Sequence, residues 1–181
     1  MNTANIVTIS RILSVPVFLY FAYNIDMPYY DLISAAIFLL ISLTDWVDGY
    51  IARKYNQITD FGKFLDPLAD KILVTSAMAV LVGLGRLSSL VFIIVLFREF
   101  LVTSLRLVAN TGGKVIAASI WGKMKTVFQI TAIMSILLEK YLIMMIYPLP
   151  YASFFVWIMT ILTIYSGLEY IWQYREYIKF K

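Results

Sequence analysis

The sequence reads DWVDGYIARKYNQITDFGKFLDPLAD from Asp45 to Asp70, and this stretch lies between two long apolar segments. Asp45 and Asp48 are three residues apart, and Asp66 and Asp70 are four apart. Residues at these spacings share one face of a helix. The stretch therefore predicts two helices that each carry a pair of carboxylates. If the short connection between the helices folds them back antiparallel, all four carboxylates converge.

Four converging carboxylates repel one another unless a cation compensates their charge. Oxygen ligands without nitrogen or sulfur suit Mg²⁺, Mn²⁺ or Ca²⁺. Four carboxylates can hold two such ions about 3.5–4 Å apart, an arrangement that stabilises phosphoryl oxygens during a displacement reaction. Gly49 and Gly62 leave room for a close ligand, and the guanidinium of Arg53 suits a phosphate. The stretch is therefore a candidate metal and phosphate site.

Each half of the stretch also has a purely structural interpretation. Asp48-Gly49 fits a simple turn, and Asp66-Pro67 fits a helix N-cap followed by proline at the first helical position. Neither interpretation explains why both pairs occur together with the two glycines and Arg53. We therefore favour the metal site.

Composition is typical of a membrane protein. Of the 181 residues, 61% are hydrophobic and 14% are charged, and the mean hydropathy is +0.82. Soluble domains are about half apolar. The length predicts a single domain over residues 1–181. Cysteine and histidine are absent, which excludes disulfides, thiolate metal sites and a histidine base, so carboxylates are the best candidates for acid–base chemistry.

Six apolar segments are each close to the ~20 residues that a spanning helix needs. They cover residues 6–23, 32–50, 68–84, 90–109, 117–138 and 149–172. We predict an all-α membrane protein with six transmembrane helices and a short N-terminal interfacial segment within residues 1–10. Lysine and arginine concentrate on the side that holds both termini and the aspartate stretch. The positive-inside rule places that side at the cytoplasmic face of the membrane.

A second group of charged residues follows later in the chain. Arg98 and Glu99 interrupt the fourth apolar segment, and Arg106, Lys123 and Lys125 lie near its end and near the start of the fifth. A lone lysine at the end of a span often extends to the interface without binding anything. Arg98 and Glu99 are open to two interpretations, a structural ion pair or a ligand role. Three cations at the same membrane depth as the aspartates could bind an anionic second substrate.

The aspartate pattern D-x2-D-G-x2-A-R-x8-G-x3-D-x3-D resembles the signature of the CDP-alcohol phosphotransferases, which are integral membrane enzymes. Every position of the signature is filled. Two further stretches resemble one branch of that family, the bacterial phosphatidylglycerophosphate synthases. They are Asn5-x2-Thr8-x2-Arg11 and the run from Arg98 to Gln129 that contains Val115-Ile116-Ala117-Ala118-Ser119. The resemblance therefore extends over most of the chain.

This resemblance implies transfer of a phosphatidyl group from CDP-diacylglycerol to glycerol 3-phosphate, giving phosphatidylglycerophosphate and CMP. It implies two Mg²⁺ or Mn²⁺ ions held by Asp45, Asp48, Asp66 and Asp70, with Asp70 also the catalytic base. The implied contacts to the CDP-linked donor come from Asn5, Thr8, Gly49, Ala52, Arg53 and Gly62. The implied ligands of the acceptor phosphate are Arg106, Lys123 and Lys125. The family also implies a homodimer in the bacterial cytoplasmic membrane, with its active site facing the cytoplasm.

Two alternatives remain open on the sequence. Within the same chemistry the acceptor could be inositol phosphate or serine instead of glycerol 3-phosphate. In a different class, intramembrane carboxylates could serve a divalent-cation transporter, but the chain has one copy of the motif and no internal repeat. A nucleic-acid partner is not expected, because the net charge of +4 is modest and no clustered basic stripe is present.

Overall fold

The computed structural model describes residues 3–54, 60–111, 119–145 and 150–175, and the side chains of most of them. The described residues form six α-helices and contain no strand. The helices are α1 (Thr3–Tyr23), α2 (Tyr30–Lys54), α3 (Asp60–Gly83), α4 (Ser89–Thr111), α5 (Ile120–Met145) and α6 (Tyr151–Gln173). The predicted all-α class is confirmed.

The chain divides into two compact units, Met1–Arg86 and Leu87–Lys181. Unit 1 contains α1, α2 and α3, and unit 2 contains α4, α5 and α6. The single domain predicted over residues 1–181 stays a prediction.

Unit 1 is built around α1, which packs against both α2 and α3. Its buried residues recur every three or four positions, as at Val15, Phe18 and Ala22, so one face of the helix lies in the core. The rings of Phe18 on α1 and Phe38 on α2 lie 5.8 Å apart between centroids. Alanines on all three helices are fully buried, which allows close approach of the backbones.

An ion pair closes one end of unit 1. Asp31, in the first turn of α2, accepts a hydrogen bond from Nη1 of Arg86, which follows α3. The Asp31 side chain is 10% exposed and the Arg86 side chain 22%. The pair therefore links the start of α2 to the chain segment after α3.

Unit 2 is held together by α6, which packs against α4 and α5. Its buried face is partly polar and includes Thr163, Ser166 and Tyr170. The first two hydroxyls donate to backbone carbonyls of α6 itself, at 2.7 and 3.1 Å. Tyr170 is different, because its partners lie on other elements.

Within the described residues, the helices that are long and apolar enough to cross a membrane are Ile120–Ile143 and Tyr151–Gln173. Shorter apolar helices cover Thr8–Tyr23, Tyr30–Thr44 and Lys71–Gly83. The six predicted spans thus each correspond to a helix, while six membrane crossings stay a prediction. Because α1 is continuous from Thr3 to Tyr23, no break separates an N-terminal segment from the first apolar run, and an interfacial position for that segment also stays a prediction.

Candidate functional site

The aspartate stretch lies on two helices of unit 1 that contact each other. Asp45 and Asp48 belong to α2, and Asp66 and Asp70 belong to α3. The two predicted helices are therefore confirmed. The structural alternatives are wrong: α2 continues through Asp48 to Lys54, so no turn forms there, and α3 begins at Asp60, well before Asp66.

The remaining predicted donor contacts also lie on helices of unit 1. Gly49, Ala52 and Arg53 are on α2, Gly62 is on α3, and Asn5 is on α1. The side chains of these residues, like those of the four aspartates, lie outside the described ones. The last donor contact, Thr8 on α1, is described, and its side chain is buried inside unit 1 together with that of Arg11.

The four predicted metal ligands thus lie outside the described side chains. Among the side chains that the structure describes, no three acidic residues gather in a way that would hold a metal ion. The four signature aspartates are not among these side chains. Their chemistry still fits a hard divalent cation, because the donor set consists of carboxylates alone, carried in pairs on two contacting helices.

Unit 2 gathers charged side chains that the sequence places far apart. The Glu99 carboxylate accepts hydrogen bonds from Lys125 Nζ at 2.5 Å and from Arg98 Nη1 at 3.1 Å. The Lys125 side chain is only 5% exposed. Of the two interpretations left open for Arg98 and Glu99, the structural ion pair is present, and it extends to a third residue. Lys125 does not extend outward from its helix as a lone interfacial lysine would.

Tyr170 joins a second cation to the same region. Its hydroxyl accepts a hydrogen bond from Arg106 Nη2 at 2.7 Å and another from the backbone N–H of Ser119 at 3.0 Å. The guanidinium carbons of Arg98 and Arg106 lie 5.7 and 5.3 Å from the centroid of its ring. We call these connected residues the polar cluster; they are Arg98, Glu99, Arg106, Ser119, Lys125 and Tyr170.

A helix cap and two glycines lie beside the polar cluster. Ser119 caps this helix, since its hydroxyl accepts a hydrogen bond from the N–H of Gly122 at 3.1 Å. A Cβ at Gly122 would lie 3.5 Å from Arg98 Nη2, which is an ordinary contact. A Cβ at Gly167 on α6 would lie 3.2 Å from Arg98 Cγ, which is tight. Glycine at position 167 therefore lets α6 approach the stem of Arg98.

The polar cluster has a net positive charge, as a site that binds an anion would. Arg98, Arg106 and Lys125 contribute three positive charges, and Glu99 contributes one negative charge. Arg106 Nε is buried and has no hydrogen-bond partner among the described residues. Of the three predicted acceptor-phosphate ligands, Arg106 and Lys125 are brought into the cluster, and Lys123 is exposed on α5.

Four members of the cluster, Arg98, Glu99, Ser119 and Tyr170, were not predicted as site residues. Tyr170 is one of 13 tyrosines, and nothing local distinguishes it from tyrosines that anchor a helix at an interface. Glu99 stands next to Arg98, a pairing that indicated an ion pair but gave no sign of Lys125. Both partners of the Tyr170 hydroxyl are more than 50 positions away, so only the folded chain reveals them.

Comparison with known proteins gives a family match over most of the chain. The model of the CDP-alcohol phosphatidyltransferase family matches residues 1–165. The chain is 39% identical to a Bacillus subtilis protein named CDP-diacylglycerol--glycerol-3-phosphate 3-phosphatidyltransferase, over 98% of this chain and 97% of that protein.

Two other relatives carry the same name. One, from Rickettsia bellii, is 36% identical over 97% of this chain and 97% of its own length. The other, from Haemophilus influenzae, is 36% identical over 94% of this chain and 91% of its own length. Both units of the chain are therefore covered by each relative.

Proposed function

The chain belongs to the CDP-alcohol phosphatidyltransferase family, and we propose that it transfers a phosphatidyl group from CDP-diacylglycerol to glycerol 3-phosphate. The products would be phosphatidylglycerophosphate and CMP, in phospholipid biosynthesis. The observation that carries the proposal is the likeness, over nearly the whole chain, to relatives named for this reaction. The complete aspartate signature and the cationic cluster of unit 2 support it.

Members of this family use a divalent metal. In our proposal Asp45, Asp48, Asp66 and Asp70 hold two Mg²⁺ or Mn²⁺ ions, because paired carboxylates on two contacting helices fit such cations. When bound, the ions would supply Lewis-acid stabilisation of charge on the phosphoryl oxygens and on the departing CMP. Contacts to the CDP moiety are assigned to Asn5, Thr8, Gly49, Ala52, Arg53 and Gly62.

The acceptor phosphate is assigned to Arg106, Lys123 and Lys125. Arg106 has an unpartnered buried Nε and a planar guanidinium whose donors match phosphate oxygens. Lys125 is already paired with Glu99, which fixes the ammonium in place while leaving the cluster cationic. The phosphate would thus bind to side chains whose positions are already fixed by Tyr170 and Glu99.

The acceptor hydroxyl loses a proton as it attacks phosphorus. The chain contains no histidine, so a carboxylate is the available base, and we assign this role to Asp70. The nucleophile is the acceptor itself, and no covalent enzyme intermediate is needed.

Apolar helices and the family make this a membrane protein. We propose six spans in one domain over residues 1–181, both termini and the aspartates at the cytoplasmic face, and a homodimer in the bacterial cytoplasmic membrane.

Single cysteines can test this orientation, because the natural chain has none and each introduced cysteine is the only one that reacts. Tyr29→Cys should react with an impermeant maleimide in intact cells, and Arg175→Cys only after permeabilisation. The reverse pattern would contradict the orientation.

The reaction is tested by CMP release from the purified protein in detergent with CDP-diacylglycerol and Mg²⁺. Glycerol 3-phosphate, serine, inositol 1-phosphate and no acceptor are compared, with EDTA as a control. We expect release that needs both the metal and glycerol 3-phosphate. Release with another acceptor would keep the family and change the substrate. No release with any acceptor would overturn the proposal and call for a test of cation transport.

A further inference from the structure

We propose that Tyr170 is a positioning residue for the acceptor: its hydroxyl holds the Arg106 guanidinium in the orientation that receives the acceptor phosphate. This inference rests on the assignment of Arg106 under the proposed function. Tyr170 itself does not touch the substrate. It belongs neither to the aspartate signature nor to the residues assigned to the acceptor phosphate.

The contacts of Tyr170 are those of a fixed support. Its side chain is among the most buried in the molecule, at 1% exposure. The hydroxyl accepts from Arg106 Nη2 at 2.7 Å and from the Ser119 N–H at 3.0 Å. Because the Ser119 N–H is a backbone group at the start of α5, it anchors the phenol oxygen, and the phenol oxygen in turn anchors the guanidinium.

The rest of the Arg106 guanidinium is left for a ligand. An arginine has five N–H donors, and Tyr170 takes one from Nη2. Nε is buried and has no partner among the described residues, which is costly unless a ligand satisfies it. A phosphate can accept from two adjacent donors of one guanidinium, so a fixed orientation directly improves its binding.

The ring of Tyr170 adds a second constraint. The guanidinium carbons of Arg98 and Arg106 lie within 6 Å of its centroid, at 5.7 and 5.3 Å, where a cation is attracted to the ring electrons. Arg98 is in turn paired with Glu99, which holds Lys125. Tyr170 therefore connects Arg106 to the ion pair that fixes Lys125, which is also assigned to the acceptor phosphate.

Tyr170→Phe tests this role because it keeps the ring and removes only the hydroxyl. The matched control is Tyr165→Phe on the same helix. The Tyr165 side chain is half exposed, and its ring centroid lies 4.8 Å from that of Trp121 on α5. Initial rates are measured with each substrate varied in turn. We expect Tyr170→Phe to raise KM for glycerol 3-phosphate about tenfold, with KM for CDP-diacylglycerol unchanged. Tyr165→Phe should match the wild type.

A double variant shows whether Tyr170 acts through Arg106. Arg106→Lys alone should also raise KM for glycerol 3-phosphate, because lysine cannot present two fixed donors. Adding Tyr170→Phe to Arg106→Lys should then change KM by less than about twofold, whereas independent effects would multiply. Multiplying effects, or a Tyr170→Phe variant that loses kcat with both KM values unchanged, would overturn the inference.

The outcomes separate this inference from the function beneath it. If Arg106→Lys raises the acceptor KM and Tyr170→Phe does not, the positioning role alone fails. If Arg106→Lys leaves the KM for glycerol 3-phosphate unchanged, the assignment of Arg106 fails and the role of Tyr170 fails with it.

A second variant is used if Tyr170→Phe lowers thermal stability in detergent. 4-Fluorophenylalanine at position 170 fills the volume of the hydroxyl but is a poor hydrogen-bond acceptor. The same rise in the acceptor KM is expected of it, and an unchanged KM would overturn the inference.

Discussion

The two units assemble their charged groups in different ways. In unit 1, the four signature aspartates come from one continuous stretch, Asp45 to Asp70, on two helices that follow each other. In unit 2, the polar cluster joins residues that are 26, 51 and 64 positions apart. A group of like charges can be recognised by its spacing, whereas a network of compensating partners appears only once the helices have packed.

The difference also concerns what each group needs before substrate arrives. If the four carboxylates converge as we propose, they need a cation to relieve their repulsion. The cations of the polar cluster already have partners within the protein, namely Glu99 for Arg98 and Lys125, and Tyr170 for Arg106. We therefore expect substitutions among the aspartates to affect metal-dependent steps, and substitutions in the polar cluster to affect acceptor binding and stability as well.

Substitution of a signature aspartate should reduce activity more than any other single change. Asp66→Asn replaces a carboxylate with an amide of similar size. It should lower turnover by about 100-fold to 1,000-fold, because a metal ligand is lost. CMP release in the presence of Mg²⁺ is the measurement, and Asp26→Asn, outside the signature, is the control. A folded Asp66→Asn protein with near-normal activity would contradict the metal site.

Glu99→Gln should be the most damaging single change in unit 2. It leaves Arg98 and Lys125 without their shared counter-charge in a nearly buried position, a loss that costs about 3 kcal/mol of folding free energy. Unfolding in detergent is the measurement, with Glu139→Gln on α5 as the control. If both variants unfold at the same temperature, the ion pair does not stabilise unit 2.

Asp31→Asn should separate stability from activity in unit 1. The Asp31–Arg86 ion pair is well shielded, so its loss should lower the free energy of unfolding by about 1–2 kcal/mol. Because neither residue belongs to the signature, the KM for each substrate should stay within about twofold of wild type. A large loss of kcat at full stability would show that this pair has a part in the reaction.

The smallest effect is expected from two glycines beside the polar cluster. A Cβ at position 167 must displace the stem of Arg98, whereas a Cβ at position 122 finds ordinary contacts. Gly167→Ala should therefore raise KM for glycerol 3-phosphate about twofold to threefold, and Gly122→Ala should leave it unchanged. Equal values for the two variants would mean that Arg98 shifts without consequence.

The sequence predicted the presence of the helices correctly but placed some of their ends wrongly. Apolar segments ended at residue 50 and began again at residue 68, because the polar signature interrupts them. The helices instead continue to Lys54 and begin at Asp60, so the signature itself is largely helical. Hydropathy measures contact with lipid or core, whereas helix formation needs only backbone hydrogen bonds, and the two end at different residues.

Long-range partners were beyond sequence reasoning for a physical reason. Arg106 and Lys125 were predicted as ligands of an anionic acceptor from their charge and membrane depth. Their partners Tyr170 and Glu99 depend on how α4, α5 and α6 pack. A buried hydroxyl that accepts two hydrogen bonds looks, in a sequence, like any other tyrosine. Packing alone gives Tyr170 these partners.

We propose that the aspartates bind the CDP-linked donor through the metal ions, whereas the cations of the polar cluster bind only the acceptor. Titration of CDP with Mg²⁺ into the wild type, Asp66→Asn and Arg106→Gln tests this division. We predict that Asp66→Asn weakens CDP binding by at least about tenfold, while Arg106→Gln binds CDP like the wild type. If Arg106→Gln weakens CDP binding as much as Asp66→Asn does, the division of the two substrates between the aspartates and the polar cluster is wrong.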